Sequence, residues 1–438
     1  MESRTGRCDA VEILDALKNN TVVKEVSILG TGPNNQEANV KLFELMKCNK
    51  SVDSLTIGLE RGLQGERTQV RKRLFATMAT SGGWSSIKEL VLCDTIYYHE
   101  PLVSLSRGEA EPLSVTDAEN ISSFIAQSEN LRTLRLQIAG NEVPQIVETL
   151  SRTKVQSLQI PFRSPCTLQN EGRQLTTALE RCTCITELEL EFPDQGELFQ
   201  HLLLESIPKM LGLKKLELEM DYPADQQFFD IAGQCIGLHQ GEIEELILMC
   251  HDSTMNSSIV GLAPALRRLK VIYFQNFKKL SSQQIGELSG IAADCDTLEE
   301  FWCDLDDIKS TDDFKNICHF LSTFPSLKRV TKERVGREVL ELREESRFVA
   351  FLEMVKTSKT IEQIPPFRCR TNEKEAAIKH HCRSNMVHNQ IREKDFLAAT
   401  VPSSACPLIL KEFSDLPDVL YYLLQQKNGA MVGPTCHG

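Results

Sequence analysis

One short apolar pattern recurs along most of the chain and restricts its possible folds more than any other feature. The pattern is an apolar residue, two residues of any type, a second apolar residue, one residue of any type and a third apolar residue. Full matches occupy residues 23–28, 52–57, 87–92, 131–136, 155–160, 185–190, 213–218, 243–248, 266–271 and 298–303. Truncated copies begin at Leu327 and Ile361. The copies start about 31 residues apart on average, which is typical of solenoid repeats.

Each copy predicts a strand that is followed by a helix. The final apolar-x-apolar part has a period of two, which turns one face of a short strand towards a core. Stretches between the copies, such as residues 175–180 (LTTALE), have the spacing of an amphipathic helix. Because one such unit cannot bury its own apolar face, successive units must stack. We therefore predict an α/β solenoid with parallel strands on the concave face and helices on the convex face.

The repeats resemble those of the ribonuclease-inhibitor-like class of leucine-rich repeat proteins. The resemblance covers residues 11–364 and implies a horseshoe of about 11 to 12 repeats. Members of that class usually place Asn or Cys three residues after the last apolar position of the pattern. Here those places hold Thr31, Glu60, Thr95, Ala139, Arg163, Pro193, Asp221, His251, Phe274 and Asp306. We therefore expect irregular repeats, and the departure argues against inhibition of ribonucleases.

The segment after the repeats, residues 365–428, is predicted to form a helical C-terminal cap. Residues 371–396 have a helical pattern, and a second helix is predicted near residues 416–426. The apolar face of the first helix is predicted to carry Ile378, Cys382 and Met386. A solenoid needs an atypical terminal unit that covers its last apolar layer. The segment also resembles the tails of uncharacterised leucine-rich repeat proteins from microalgae, a resemblance that implies no activity.

Motifs for cofactors, metals and catalysis are incomplete in this sequence. Gly30 and Gly32 follow a predicted strand, but the third glycine of a dinucleotide-binding loop is missing. Side chains that can bind zinc cluster near the C-terminal end at Cys369, His380, His381, Cys382 and His388. Their spacing matches no common zinc motif, and adjacent helical residues point about 100 degrees apart. We expect no cofactor, no metal and no enzymatic activity.

Charge and composition exclude further classes of partner. The chain has 49 Lys and Arg residues against 61 Asp and Glu residues, a formal net charge of −12. Such a chain repels nucleic acids and anionic lipids, so we expect neither as a partner. No segment approaches the roughly 20 apolar residues of a membrane span, and no secretory signal is recognisable. We expect a cytoplasmic protein, with the nucleus as the alternative, whose 15 cysteines are reduced thiols.

The solvent-facing strand positions predict where a partner binds. The third, fifth and seventh places of each copy line the concave face, which is the usual contact surface of a solenoid. Three successive copies place acidic residues there, namely Glu187, Glu189, Glu191, Glu217, Glu219 and Glu245. The next two copies place Arg268, Lys270 and Trp302 at such positions. A solvated charged face without a partner is the open alternative, and an insertion at residues 95–114 is a second candidate surface.

These patterns favour an interaction protein over an enzyme. We expect a scaffold that binds a partner protein with a basic surface through its concave face. The alternative is a regulator of a small GTPase, because Ran-type GTPase-activating proteins are built from the same class of repeats. No motif in this chain matches theirs, so the alternative depends on fold analogy alone.

Overall fold

The computed structural model describes most of the repeat region and its first C-terminal helix. It covers residues 15–18, 20–29, 48–58, 72, 75–80, 84–93, 114–137, 143–162, 172–192, 196–220, 226–250, 259–274, 282–303, 305, 308, 310–331 and 339–393. The glycine-rich turn at residues 30–35, the insertion at residues 95–113 and the helix predicted near residues 416–426 lie outside the described residues.

From α1 to β11, strands and helices alternate along the described chain, as the repeat predicts. The strands are β1 (Glu25–Leu29), β2 (Ser54–Gly58), β3 (Glu89–Cys93), β4 (Thr133–Gln137), β5 (Ser157–Pro161), β6 (Glu187–Phe192), β7 (Lys215–Met220), β8 (Glu245–Cys250), β9 (Val271–Phe274), β10 (Glu300–Cys303), β11 (Arg329–Thr331), β12 (Leu340–Leu342) and β13 (Phe367–Cys369). The helices are α1 (Val115–Gln127), α2 (Val143–Leu150), α3 (Arg173–Arg181), α4 (Glu197–His201), α5 (Gln226–Leu238), α6 (Ala263–Leu266), α7 (Ser282–Ala292), α8 (Thr311–Ser322), α9 (Glu345–Ser358) and α10 (Asn372–Glu393). The predicted α/β fold of the leucine-rich repeat type is confirmed.

The chain divides into two compact units. The first comprises Met1–Ala224 and Ile231–His251, and the second comprises Asp225–Asp230 and Asp252–Gly438. In the first unit, strands β1 to β8 pair in parallel and in chain order. In the second unit, β9, β10 and β11 do the same, and β12 pairs with β13 in a separate parallel sheet. The predicted division into a solenoid of residues 11–364 and a cap of residues 365–428 remains a prediction.

Apolar side chains from the repeat pattern form the core of each unit. In β6 and β7, Leu188, Leu190, Leu216 and Leu218 are buried, while the residues between them face outward. Helices of successive repeats pack side by side, as α1, α2 and α3 do in the first unit. Burial of the alternate strand residues against these helices is the main stabilising contribution that the repeat pattern makes.

Polar residues at the helix ends connect one repeat to the next. Asn49 donates from its Nδ2 atom to the carbonyl oxygens of Leu17 and Asn20, at 2.8 and 3.1 Å. Its Oδ1 atom accepts from the backbone of Ser51 and Val52. The asparagine of this repeat therefore lies three residues before the apolar pattern. The family pattern places Asn or Cys only after the strand, so this position was not predicted.

Small polar side chains act in the same way at equivalent positions of other repeats. The thiol of Cys182 donates to the carbonyl oxygens of Val147 and Ala178, and burial raises its pKa to about 12. Ser358 accepts from the backbone of Thr360 and Ile361. These contacts satisfy backbone groups at the helix end that would otherwise lack partners.

The predicted register of the ninth repeat is wrong by three residues. Ile272 pairs with Phe301 of β10 and is fully buried, so the pattern of this repeat runs from residue 269 to residue 274. Leu266, taken as the first apolar position, belongs to helix α6. Arg268 and Lys270 therefore precede β9 and do not lie on its solvent face. Residues 266–271 and residues 269–274 both match the apolar pattern. The pairing of β9 with β10 shows that residues 269–274 form the repeat.

In the C-terminal part, residues 340–342 form strand β12, and helix α9 begins at Glu345. The predicted apolar face of α10 differs from the structure at one position. In α10, Ile378 and Cys382 are buried as predicted, whereas Met386 is exposed. Asn385 is buried in its place and donates to the carbonyl oxygens of Val355 and Ile361. Two backbone acceptors at this position require a donor that methionine lacks.

Candidate protein-binding surface

An acidic face forms where strands β6, β7 and β8 of the first unit lie side by side. Its carboxylates, which define the acidic face, are Glu187, Glu189, Glu191, Glu217, Glu219 and Glu245. The strand pairing aligns them in rows that run across the sheet. Neighbouring strands are about 4.8 Å apart, which is within the screening length of about 8 Å at physiological salt. Charges in one row therefore interact directly.

The rows differ in how their charges are balanced. In the first row, Lys215 lies in register between Glu187 and Glu245. Its Nζ atom is 3.5 Å from Oε1 of Glu245 and 3.6 Å from Oε2 of Glu217. In the second row, Glu189 is directly opposite Glu217, and two like charges opposite each other destabilise a sheet. The second row therefore carries a like-charge pair across the sheet, although Glu217 also lies near Lys215.

Glu189 is a carboxylate of the acidic face whose environment shifts its pKa. Its Oε1 atom accepts a hydrogen bond of 2.5 Å from Nε2 of Gln159, the residue in register on β5. Burial and the neighbouring carboxylate of Glu217 raise its pKa to about 7, although Arg135 and Lys215 act in the opposite direction. The carboxyl group of Glu189 is therefore partly protonated near neutral pH.

Gln159 and Arg135 belong to the same row but were missed as site residues in the sequence. They occupy the fifth place of their repeats, as Glu189 does, so the strand periodicity alone could have found them. The residue Gln159 is 9% exposed, and its Oε1 atom is a buried acceptor without a hydrogen-bond partner among the described residues. Such an acceptor is costly in a folded protein unless a donor reaches it.

Charges on the earlier strands are paired with each other. Nε of Arg135 is 3.3 Å from Oε1 of Glu89, and Oγ of Ser54 donates to Oε2 of the same carboxylate at 2.8 Å. This contact chain spans β2, β3 and β4. Because Arg135 partly neutralises Glu89 there, the excess of negative charge on the solvent side of the strands lies on β6 to β8.

The remaining predicted contact residues lie in the second unit. Arg268 and Lys270 are exposed in the turn before β9. Trp302 on β10 is half-buried, and its ring centroid is 6.1 Å from that of Tyr273. Beside it in the sheet, Arg329 forms a 2.7 Å ion pair with the buried Glu300. The structure thus separates the predicted set into the acidic face of one unit and an aromatic pair with nearby charges in the other.

The His and Cys residues near the C-terminal end do not gather around one point. The rings of His380 and His381 are 5.5 Å apart and nearly perpendicular, while Cys382 is buried and burial raises its pKa to about 12. Within the described ranges, no three His, Cys, Asp or Glu side chains are arranged to hold a metal ion. Similarly, none of the described helices is both long and apolar enough to cross a membrane.

Comparison with known proteins finds solved structures that are similar to this chain in fold alone. No protein-family model and no curated protein matches this chain. The leucine-rich repeat-containing protein LegL7 from Legionella pneumophila is 12% identical, with 76% of this chain and 97% of that chain covered and a TM-score of 0.43. A chain of the Rad7 and Elc1 complex from yeast is 10% identical, with coverages of 76% and 87% and a TM-score of 0.36. A Bacteroides fragilis protein is 12% identical, with coverages of 78% and 73% and a TM-score of 0.31.

Proposed function

We propose that this protein is an interaction scaffold without catalytic activity and that its acidic face binds a basic surface of a partner protein. The acidic face lies on the solvent side of the strands, which is the concave side of the predicted solenoid. The observation that carries the proposal is the alignment of Glu189 with Glu217 and of Glu191 with Glu219 on adjacent strands. Such pairs lower stability, and a basic partner would offset their repulsion.

Electrostatic complementarity of this kind acts mainly on the rate of association and on the choice of partner. Apolar anchors, in contrast, slow dissociation. We assign the second role to Trp302, and we keep Arg268 and Lys270 as additional exposed contact residues. Trp302→Ala should then increase the dissociation rate and leave the association rate nearly unchanged.

Affinity capture from native lysate, followed by mass spectrometry, tests the proposal when two matched variants are compared. Glu191→Gln with Glu219→Gln removes two charges from the acidic face. Glu119→Gln with Glu129→Gln removes two exposed charges at α1 and the turn that follows it. A basic partner that the wild type and the second variant retain, but the first variant loses, supports the proposal. Equal retention by both variants would contradict it.

The alternative, regulation of a small GTPase, makes a different prediction. A regulator that activates GTP hydrolysis would increase GTP turnover when mixed with its GTPase in catalytic amounts. A scaffold would bind without changing turnover. A turnover assay with the captured partner therefore distinguishes the two functions.

A further inference from the structure

We propose that Gln159, Glu189 and Glu217 form a binding site for one cationic side chain of the partner, and that this cation replaces a proton held by the two carboxylates. The ligand class is a lysine ammonium or an arginine guanidinium group. The proposal rests on the proposed function, because it names the group that the acidic face would bind and couples that binding to proton release.

The three side chains come from the same row of three adjacent strands. Gln159, Glu189 and Glu217 occupy register positions on β5, β6 and β7. The amide of Gln159 donates from Nε2 to Oε1 of Glu189, which fixes this carboxylate beside the amide. Neighbouring strands hold the groups about 4.8 Å apart. A single ammonium or guanidinium group can donate to several oxygens across that distance.

A second observation points to a donor as the ligand. The Oε1 atom of Gln159 is buried and accepts no hydrogen bond from the described residues. The residue as a whole is 9% exposed, and its side chain contacts Glu189 directly. A cation that donates both to this amide oxygen and to the carboxylates would satisfy the unpartnered acceptor, which a second carboxylate cannot do.

The charges around Glu189 favour one bound proton when no partner is present. The charged groups that face it are Arg135 on β4, Glu187 and Glu191 on β6, Lys215, Glu217 and Glu219 on β7, and Glu245 on β8 in the adjacent row. Two basic groups thus face five other carboxylates. Burial and the carboxylates of Glu217 and Glu219 outweigh Arg135 and Lys215 and raise the pKa of Glu189 to about 7. A docked cation would favour the ionised carboxylate and release the proton.

Binding should therefore strengthen as pH rises through neutrality. Below pH 7 the cation must displace a proton, and above pH 7 the carboxylate is already ionised. For one linked group with this pKa, the dissociation constant should decrease about tenfold between pH 6 and pH 8. The group that titrates belongs to the protein, because the pKa of lysine is near 10.4.

Titration calorimetry with an N-acetylated octa-lysine peptide tests the proposal. Acetylation removes the terminal amine, which would otherwise titrate in the same range. At pH 7, measurements in PIPES and in Tris give the number of protons released per peptide bound, because the two buffers differ in ionisation enthalpy. We expect about half a proton for the wild type and a dissociation constant that falls about tenfold from pH 6 to pH 8.

Two isosteric variants identify the group that releases the proton. Glu189→Gln should bind the peptide without proton release and with an affinity that does not change between pH 6 and pH 8. Glu119→Gln removes an exposed carboxylate from helix α1, outside the acidic face. This control should retain the proton release. If Glu189→Gln does not fold, Glu217→Gln serves the same purpose, because it removes the other carboxylate of the pair.

The outcomes separate this proposal from the proposed function. Peptide binding with no proton release by the wild type would overturn the cation–proton exchange and leave the basic partner in place. Proton release that persists in Glu189→Gln would also overturn it. If octa-lysine does not bind at any pH, both the exchange site and the acidic face as a basic docking surface are wrong.

Discussion

At the scale of single residues, the protonation of Glu189 changes the charge of the acidic face near neutral pH. Burial and Glu217 in register make its ionised form unfavourable, while the Gln159 amide donates a hydrogen bond to its Oε1 atom. An acid whose pKa is raised by folding binds its proton more tightly in the folded state. Its ionisation therefore reduces stability as pH rises from about 4.5 to above 7.

Replacement of this carboxylate should stabilise the protein only at high pH. At pH 8.5, Glu189→Gln should increase the free energy of unfolding by about 1 to 2 kcal/mol, because the amide removes an unfavourable buried charge. At pH 4.5 the folded wild type already holds the proton, so the difference should nearly vanish. Urea unfolding at both pH values measures this. An equal increase in the free energy of unfolding at both pH values would show that ionisation of Glu189 is not the cause. The control Glu187→Gln should not increase the free energy of unfolding.

At the scale of secondary-structure elements, periodicity predicts most strands but cannot choose between overlapping matches. Strands β6, β7 and β10 lie where the pattern places them, since only one apolar match exists in each of those segments. Around β9, the segments 266–271 and 269–274 both fit, and only pairing of Ile272 with Phe301 distinguishes them. The helix-end asparagine Asn49 was also unpredictable from the strand pattern, because its partners belong to the previous repeat.

Two truncations test the register of β9. Ile272 is fully buried opposite Phe301, whereas Val271 is half-buried opposite Glu300. Ile272→Ala should reduce the free energy of unfolding by roughly 2 to 5 kcal/mol, because it leaves a cavity in the core. Val271→Ala should cost less than about 1.5 kcal/mol. Thermal or chemical unfolding measures the loss of stability in each variant. A larger loss of stability for Val271→Ala than for Ile272→Ala would show that the pattern of this repeat runs from residue 266 to residue 271.

At the scale of the whole molecule, sequence predicted the class of fold and the acidic residues, but not the organisation around them. Alternation alone places Glu187, Glu189 and Glu217 on the solvent face. It cannot show that Glu189 faces Glu217 across the sheet or that Lys215 lies near Glu217, because both depend on pairing between strands. Nor can it divide the chain into two units, which depends on contacts between distant residues.

The predicted C-terminal cap can be tested in the second unit. Helix α10 buries Ile378 and Cys382, and Asn385 and Asn389 donate to backbone carbonyl groups near residue 360. A chain that ends at Arg370 would lose these contacts and expose apolar residues such as Ile361. We expect a melting temperature lower by several degrees, or aggregation. An unchanged melting temperature in a monomeric truncated protein would show that residues 371–438 do not act as a cap.

The rate at which the captured partner associates, measured at several salt concentrations, tests most directly whether the acidic face binds it. For the wild type we expect an association rate that decreases steeply as salt increases. Glu191→Gln with Glu219→Gln should be about three- to tenfold slower at low salt and should show a flatter dependence. Glu119→Gln with Glu129→Gln has the same net charge and should behave as the wild type does. If both variants slow association equally, or neither does, the acidic face is a solvated surface and not the binding site.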